Sequence, residues 1–269
     1  MAVLIPEHCE LCPRRCGADR RIQTGRCGAG NTLRAARAAL HRWEEPCISG
    51  EDPERGSGTV FFCGCTLGCV FCQNGAISHG GEGKEITTER LAEVFLALQA
   101  QGAYNINLIT PTQYLPWILE ALNLCRERLA IPVLYNTGGY ERVEMLRLLE
   151  GRVQIYLPDL KYYDSALSAR YSAAPDYFAV AAQALREMFR QVGPVRFDEN
   201  GMLQSGMVVR HLVLPGAHKD SLRLLNWLAD NFSPEDIRLS LMSQYTPPAD
   251  IAIRDLQRPI FTYEYRKAC

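Results

Sequence analysis

The chain has no long apolar run, no strong net charge and no targeting segment. No stretch of about 18 apolar residues occurs in the sequence, which therefore predicts no membrane span. The start, MAVLI, is too short and lacks the charged beginning of a signal peptide. The formal net charge is −1, which provides no overall positive charge to attract nucleic acid. We therefore expect a cytoplasmic protein with neither a membrane nor a nucleic acid as its partner.

Catalytic signatures of several enzyme classes are missing as well. The five histidines are scattered without an H-E-x-x-H pair, and the chain has neither a serine nucleophile elbow nor a phosphate-binding loop. What the chain does have is eleven cysteines, most of them in two clusters. In a reducing cytosol, clustered thiols bind metals rather than form disulfides, so the cysteines indicate a metal protein.

Two regions differ in composition. Residues 1–50, rich in cysteine, arginine and glycine, are expected to form a small extension, and residues 51–269 the main domain, beginning with the polar joint EDPERGSG. Residues 1–42 contain eight arginines against three acidic residues. This excess indicates either an ordinary solvated surface or a patch for an anionic substrate or an acidic partner.

The pattern of the main domain is typical of an α/β fold. Six short apolar runs, most of them followed by glycine or proline, predict strands, and helical patterns separate them. Such alternation predicts parallel pairing with right-handed crossovers, in a partial barrel or in an open sheet. The predicted strands are Thr59–Phe62, Asn105–Thr110, Pro132–Asn136, Val153–Leu157, Met207–Leu214 and Ile237–Met242. The predicted helices are Thr88–Gln101, Leu115–Arg126, Arg142–Leu149, Tyr177–Arg190 and Ser221–Asn231.

A C-x3-C-x2-C motif, formed by Cys65, Cys69 and Cys72, follows the first predicted strand. In barrels and doubly wound sheets, chemistry takes place at the carboxyl ends of the strands. Thiolates are the usual ligands of iron–sulfur clusters, and three of them on a cubane leave one iron open to a small molecule. The alternative is a zinc site with Cys63 as fourth ligand, although we favour Cys63 as a small buried residue.

A second group of thiols precedes this motif. Cys9, Cys12, Cys16 and Cys27 place four thiols within 19 residues. Zinc and a second iron–sulfur cluster both take four thiolates, so either metal group suits this set. Cys47 is a further candidate ligand.

The run CTLGCVFCQN resembles the cluster loop of radical S-adenosylmethionine (SAM) enzymes, and nearly the whole chain resembles pyruvate formate-lyase activating enzymes. The resemblance implies a partial (βα)6 barrel, similar to a TIM barrel, with a cysteine-rich metal-binding extension. It also implies a 4Fe–4S cluster on Cys65, Cys69 and Cys72, and SAM bound across the strand ends. Residues 109–112, ITPT, lie where relatives have a GGEP segment, and Asn136 lies where they have aspartate. The residues that the resemblance places near SAM are Phe71, Asn74, Thr110, Thr112, Asn136, Thr137, Asp159, Lys161 and Arg210.

The resemblance also implies an activity. A reduced cluster would cleave SAM to a 5′-deoxyadenosyl radical, which would abstract hydrogen from a substrate such as a glycyl residue of a partner enzyme. A flavodoxin- or ferredoxin-type protein would supply the electron. The alternative substrates are a small molecule, another peptide or RNA. The alternative to an enzyme is a metal-binding interaction module.

For single residues, Asp159 also suits a strand-end turn with Lys161 as its ion-pair partner, and His211 suits a buried hydrogen-bonding position.

Overall fold

A parallel sheet with helices between its strands forms the centre of the computed structural model, which describes residues 3–79 and 82–268. Cys269 lies outside the described residues. Within these ranges the strands are β1 (Leu33–His41), β2 (Gly56–Phe62), β3 (Lys84–Ile86), β4 (Ala103–Ile109), β5 (Val133–Thr137), β6 (Ile155–Pro158), β7 (Arg196–Phe197), β8 (Leu203–Leu212) and β9 (Ile237–Met242).

The six predicted strands are all present and pair in parallel, in the order β2, β4, β5, β6, β8 and β9. The register aligns Phe61 with Ile109, and Ile109 with Asn136, so the carboxyl ends of neighbouring strands meet at one edge. In the described part of the chain no ladder joins β9 to β1 or β3, so the sheet does not close. The predicted α/β partial barrel is thereby confirmed.

Helices fill the connections between the strands. They are α1 (Pro46–Ser49), α2 (Gly75–Ser78), α3 (Thr88–Ala100), α4 (Leu115–Cys125), α5 (Val143–Arg147), α6 (Ser165–Ser172), α7 (Tyr177–Val192), α8 (His218–Asn231) and α9 (Thr262–Ala268), with short 3₁₀ turns at Thr112–Tyr114 and Arg254–Leu256. The helix α3 begins as predicted, because the Thr87 hydroxyl accepts a hydrogen bond from the Arg90 amide at 3.1 Å. Its buried face consists of Leu91, Phe95 and Leu98, at helical spacing.

The predicted extension contributes to the main sheet. Its strand β1 pairs antiparallel with β2 on one side and with β3 on the other. The helix α1 then inserts Ile48, which is fully buried beside Leu134, Ile155 and Val208. Asn105 donates a hydrogen bond of 2.8 Å to the Ile48 carbonyl and holds α1 in place. The boundary at residue 50 stays a prediction, but residues 33–50 pack as part of the sheet and its core.

No helix in the two described ranges is long and apolar enough to cross a bilayer. The ten cysteines in those ranges are all free thiols.

Candidate active site

A cavity of about 720 Å³ lies within the barrel mouth. We call it the barrel-mouth cavity. The loop after β2 contributes Cys69, Phe71 and Cys72 to its wall, and the carboxyl ends of the parallel strands contribute polar side chains. The segment between β1 and α1 lines another part of it. The polar and charged lining residues that the argument below uses are Glu44, Glu45, Asn74, Asn136, Asp159, Lys161 and Arg210.

Each cysteine of the C-x3-C-x2-C motif accepts at least one hydrogen bond at sulfur. The Leu67 amide lies 3.4 Å from the Cys65 Sγ, and the Ser78 hydroxyl lies 3.3 Å from the Cys72 Sγ. The Ser172 hydroxyl donates to the Cys69 Sγ at 3.0 Å. Burial raises the pKa of Cys65 to about 11 and also raises the pKa of Cys69. These thiols therefore need a bound metal to be thiolates at neutral pH.

Asp159 and Arg210 form the centre of a charged network at the bottom of the cavity. Lys161 Nζ lies 2.6 Å from Asp159 Oδ2, and Arg210 Nε lies 3.1 Å from Asp159 Oδ1. The Arg210 guanidinium also donates to Asn136 Oδ1 at 2.7 Å and to Glu44 Oε2 at 3.2 Å. Burial alone would raise the pKa of Asp159, but Lys161 and Arg210 outweigh it and lower the pKa. Asp159 is thus an ionised anchor for two cations.

Two polar atoms in the wall of this cavity are buried without a partner. They are the Nδ2 of Asn136 and the Oε2 of Glu45. A buried polar atom without a partner costs about 1–3 kcal/mol. A bound molecule that accepts from Asn136 and donates to Glu45 would recover that cost.

The two other predicted cavity residues of the loop have different surroundings. Phe71 is buried and packs edge to face against Tyr162, Tyr171 and Tyr245 while lining the cavity. Asn74 is exposed and precedes α2 at the rim. Both lie where a molecule in the cavity would reach them.

The three threonines predicted to contact SAM do not line the cavity. The hydroxyls of Thr112 and Thr137 both donate to Glu141 Oε1, each at 2.5 Å, and both threonines are buried. The Thr110 carbonyl accepts a hydrogen bond of 3.0 Å from the Gln113 side chain. Burial raises the pKa of Glu141 to about 7, although the two threonine hydroxyls lower it. A buried carboxyl thus takes the hydroxyls of Thr112 and Thr137, and contact of the three threonines with SAM stays a prediction.

His211 is also occupied within the core. Its Nδ1 lies 2.6 Å from the Leu160 carbonyl and its Nε2 lies 2.8 Å from the Ser221 hydroxyl. The interpretation of His211 as a buried hydrogen-bonding residue is confirmed. Cys63 is buried as expected, and its Sγ donates to the Glu82 carbonyl at 2.9 Å.

Arg14 joins the extension to the cysteine loop. Its guanidinium donates to the Thr66 carbonyl at 2.9 Å and the Leu67 carbonyl at 3.1 Å. It donates also to the carbonyl of Ser172 at 2.6 Å, and to that of Ala173. One charged side chain thereby ties three segments together.

Two further contacts seal the same junction. Gly64 has φ +79°, and a Cβ there would lie 2.1 Å from the Cys27 carbonyl, so the extension packs directly on the loop backbone. Arg20 is buried and donates to the Gln113 carbonyl at 2.6 Å, and Gln113 donates to the Cys63 carbonyl at 3.0 Å. Arg14 and Arg20 thus hold the extension against the cysteine loop. Neither of them contributes a free positive charge to the predicted basic surface.

The four thiols of the extension are close in space but do not form a cage. A side chain at Gly25 would lie 3.5 Å from the Sγ of both Cys16 and Cys27. Burial raises the pKa of Cys12 to about 12. Among the residues described, no group of three or more cysteine, histidine or acidic side chains is arranged to hold a single metal ion. Metal on Cys9, Cys12, Cys16 and Cys27 stays a prediction.

Residues 59–228 match the family model of the radical SAM superfamily. The chain belongs to the radical SAM superfamily. The matched segment contains the C-x3-C-x2-C motif and the strands from β4 to β8. Membership implies SAM and a 4Fe–4S cluster. The donors fit this group, because three thiols leave one iron open beside a cavity that contains unpartnered polar atoms. Among the described residues no three ligands surround a single metal ion. This finding does not conflict with a 4Fe–4S cluster, because each thiolate of such a cluster would bind a different iron.

Similar proteins include an uncharacterized protein of Methanocaldococcus jannaschii, MJ0674, which is 28% identical over 251 residues, covering 90% of this chain and 67% of that protein. Among solved structures, Streptococcus suis SuiB bound to S-adenosylmethionine has a TM-score of 0.47 at 15% identity, over 69% of this chain and 39% of SuiB. Methylornithine synthase (PylB) has a TM-score of 0.48 at 18% identity, over 71% of this chain and 54% of PylB.

Sequence reasoning missed several residues around the site. Glu44, Arg14, Ser172 and Glu141 were not predicted to act there. The sequence analysis counted Arg14 only among the charges of the extension. Glu44 lies in the run EEPC, where two adjacent carboxylates precede a proline, and this pair was the local feature that could have drawn attention to it.

Proposed function

We propose that this chain cleaves SAM reductively and uses the resulting 5′-deoxyadenosyl radical to abstract hydrogen from a substrate. The observation that supports the proposal most is the barrel-mouth cavity. It joins two motif cysteines, Cys69 and Cys72, to the charged pair of Asp159 and Arg210. A molecule with an amino-acid end and an aromatic base suits a site that combines metal ligands, charge and an aromatic wall, and thiols, charged side chains and the Phe71 ring all line this cavity.

The proposed roles follow from the contacts. Cys65, Cys69 and Cys72 would hold the cluster, which when bound supplies one electron to SAM. Arg210 and the free Nδ2 of Asn136 would bind the SAM carboxylate, since a guanidinium and an amide both donate to it.

Other residues would orient the rest of SAM. Asp159 keeps Arg210 and Lys161 in place, and Phe71 presents a buried ring for the adenine. The closely packed tyrosines around Phe71 would limit access of water to the radical.

The test is anaerobic formation of 5′-deoxyadenosine. The protein is reconstituted with iron and sulfide, reduced with dithionite and mixed with SAM. We expect the nucleoside from the wild type and none from Cys72→Ala. Cys125→Ala is the matched control, because Cys125 is fully buried in α4, outside the motif. Equal yields from wild type and Cys72→Ala would contradict the proposal and favour a metal-binding interaction module.

For the substrate we propose a glycyl residue of a partner enzyme, on the resemblance to pyruvate formate-lyase activating enzymes. The test mixes the reduced protein, SAM and a candidate glycyl-radical enzyme such as pyruvate formate-lyase, and records the electron paramagnetic resonance spectrum. A glycyl radical doublet supports activation. Loss of SAM without that doublet would instead favour a small molecule, another peptide or RNA.

We also propose a second metal group, zinc or iron–sulfur, on the thiols of the extension. Cys16 and Cys27, which would both contact a Gly25 side chain, support this placement. In a variant with all three motif cysteines changed to alanine, we expect metal to remain bound. Its loss on further change of Cys16→Ala would locate it, and a metal-free triple variant would rule it out. Such thiol ligands suit the reducing cytosol as the place of action.

A further inference from the structure

The barrel-mouth cavity has an end that the proposed SAM contacts leave unused. The last residue of β1 and the segment after it contribute His41, Trp43 and Glu45 to the wall, and the edge strand β9 contributes Ser240 and Met242. No ladder joins β1 to β9 in the described part of the chain, so these residues line the gap where the sheet does not close. We call these five residues the open end of the cavity.

Glu45 brings an unpaired carboxylate to the open end. The two other acidic residues of the described cavity wall are ion-paired, Asp159 with Lys161 at 2.6 Å and Glu44 with Arg210 at 3.2 Å. Glu45 has no such cation among the described residues, and its Oε2 is buried without a hydrogen-bond partner. Removing a carboxylate oxygen from water without a partner is costly, so a positively charged donor at this position is favoured.

The position of Glu45 in the fold does not account for its side chain. Glu45 directly precedes α1, where a carboxylate can accept a hydrogen bond from the first amides of the helix. Its side chain makes no such bond, and its backbone carbonyl accepts from the amides of Ile48 and Ser49 at 2.7 and 3.0 Å. The carboxylate therefore belongs to the cavity wall and does not cap the helix.

Asn136 gives independent evidence that this cavity binds a ligand. It is 3% exposed and lines the same wall, and its Nδ2 is buried without a partner. Its Oδ1 accepts a hydrogen bond of 2.7 Å from Arg210, which fixes the amide with the Nδ2 free. The cavity thus has a free donor, which suits the SAM carboxylate, and at Glu45 a free charged acceptor, which suits a cation.

Aromatic side chains at the open end suit an alkyl chain with a positive charge. Trp43 lines the cavity and is 87% exposed, so its ring is free to cover a bound molecule. His41 and Phe61 pack edge to face at 6.1 Å in the same wall. The face of an aromatic ring attracts an ammonium group, and a carboxylate supplies a charged hydrogen bond to it. The open end therefore combines two features by which proteins recognise alkylammonium groups.

We propose that the open end binds a primary alkylammonium group of the substrate, with the Glu45 carboxylate as its ion-pair partner and Trp43 over its alkyl chain. The inference rests on the proposed function, because it names the chemistry of the molecule from which hydrogen is taken. That molecule must share a cavity with SAM, since the radical has to reach it before it meets water. A free alkylamine and the lysine side chain of a peptide present the same group. A lysine next to a glycyl residue would satisfy this inference and the proposed glycyl substrate together.

The test measures binding and does not depend on cleavage of SAM. The reconstituted protein is kept oxidised with saturating SAM near neutral pH, and two pairs of probes are titrated by ligand-observed NMR. The first pair is pentylamine and neutral pentanol, and the second is N-acetyl-lysyl-glycinamide and its norleucine analogue. We expect an ammonium probe to bind about tenfold more tightly than its neutral counterpart, because a site built for a charged donor rejects an analogue without it. Tighter binding of pentylamine would identify a free amine as the source of the group, and tighter binding of the lysine probe a peptide.

Two variants at the open end test the proposed contacts. Glu45→Gln removes the charge and is expected to abolish the preference for the ammonium probe. Glu54→Gln changes an exposed carboxyl outside the cavity and is the matched control, which should bind like the wild type. Trp43→Leu changes an exposed side chain and is expected to weaken the ammonium probe more than the neutral one, so the inference stays testable if Glu45→Gln loses iron.

Several results would overturn the inference. They are equal binding of charged and neutral probes to the wild type, a preference for ammonium that persists in Glu45→Gln, and an equal loss of preference in Glu54→Gln. A fall of SAM affinity in Glu45→Gln as large as that of the ammonium probe would assign Glu45 to SAM and overturn it too. Absence of 5′-deoxyadenosine from the wild type with dithionite would instead count against the proposed function, and the binding result would still decide whether Glu45 holds an ammonium group.

Discussion

Ser172 donates a hydrogen bond of 3.0 Å to the Sγ of Cys69, although 103 residues separate them. Ser172 is the last residue of α6, and its hydroxyl also lies 2.7 Å from the Tyr162 hydroxyl. Both residues are buried, so the sulfur receives a hydrogen bond that water does not compete for. A residue of the barrel thereby donates a hydrogen bond directly to the sulfur of a proposed cluster ligand.

Replacing this hydroxyl is expected to make the cluster harder to reduce. A hydrogen bond to a ligating sulfur stabilises the more negative, reduced cluster. We expect Ser172→Ala to lower the midpoint potential by roughly 50 mV, close to a tenfold change in a one-electron equilibrium. A redox titration monitored by electron paramagnetic resonance measures it. Ser168→Ala, on the same helix and equally buried, is the control and should leave the potential unchanged.

Removing the Arg14 guanidinium is expected to loosen the cysteine loop. Arg14→Gln loses charged hydrogen bonds to the carbonyls of Thr66, Leu67 and Ser172, each of a kind that contributes about 1.5–3 kcal/mol, though not additively. We expect a lower melting temperature and less than half the wild-type iron per chain after reconstitution. Arg15→Gln changes the exposed neighbouring arginine and should match the wild type. Full iron content in Arg14→Gln would show that the loop holds its shape alone.

Neutralising Asp159 is expected to weaken SAM binding. In Asp159→Asn the amide no longer pairs with Lys161 and Arg210, so Arg210 shifts toward Glu44 and loses its proposed orientation. We expect SAM to bind about tenfold more weakly, or about 1.4 kcal/mol, measured by calorimetry on the reconstituted protein. Asp230→Asn on α8 is the control. An unaltered Kd would exclude Asp159 and its partners from the SAM site.

Glu141 is expected to make stability depend on pH. Its pKa of about 7 in the folded chain is raised above the usual value for glutamate, so the native state keeps a proton that the unfolded chain releases. The contribution of Glu141 to the free energy of unfolding is therefore greatest below the pKa that this carboxyl has in the unfolded chain. It decreases as the pH rises through about 7, by roughly 3 kcal/mol in total.

The change Glu141→Gln should remove that dependence. The amide oxygen still accepts from Thr112 and Thr137, but the side chain no longer titrates. Urea unfolding of the metal-free protein at pH 5 and pH 8 measures the difference. Wild type should lose more stability than Glu141→Gln between the two values, and Glu144→Gln, which changes an exposed carboxyl, should behave as wild type. Parallel losses in wild type and Glu141→Gln would mean that other groups cause the dependence.

The local pattern of the chain was enough to predict the six parallel strands, the main helices between them and the cysteine motif. These features depend on residues that are close in the sequence. A buried parallel strand is a short apolar run, and a cluster loop is a set of cysteines at fixed spacing. The strand β1 was not predicted, because its partly exposed run LRAARAALH is mostly alanine and arginine and shows no alternation of apolar and polar residues.

The surroundings of the site come from contacts between distant residues, and the order of side chains along the chain carries no information about them. Glu44 meets Arg210 across 166 residues, and Arg14 meets the Ser172 carbonyl across 158 residues. Thr112 and Thr137 lie at the predicted strand ends, but packing turns their hydroxyls to Glu141. The sequence pattern thus predicted that the site lies at the carboxyl edge of the sheet. Close packing in three dimensions determines which side chains line the cavity and which hold those lining residues in position.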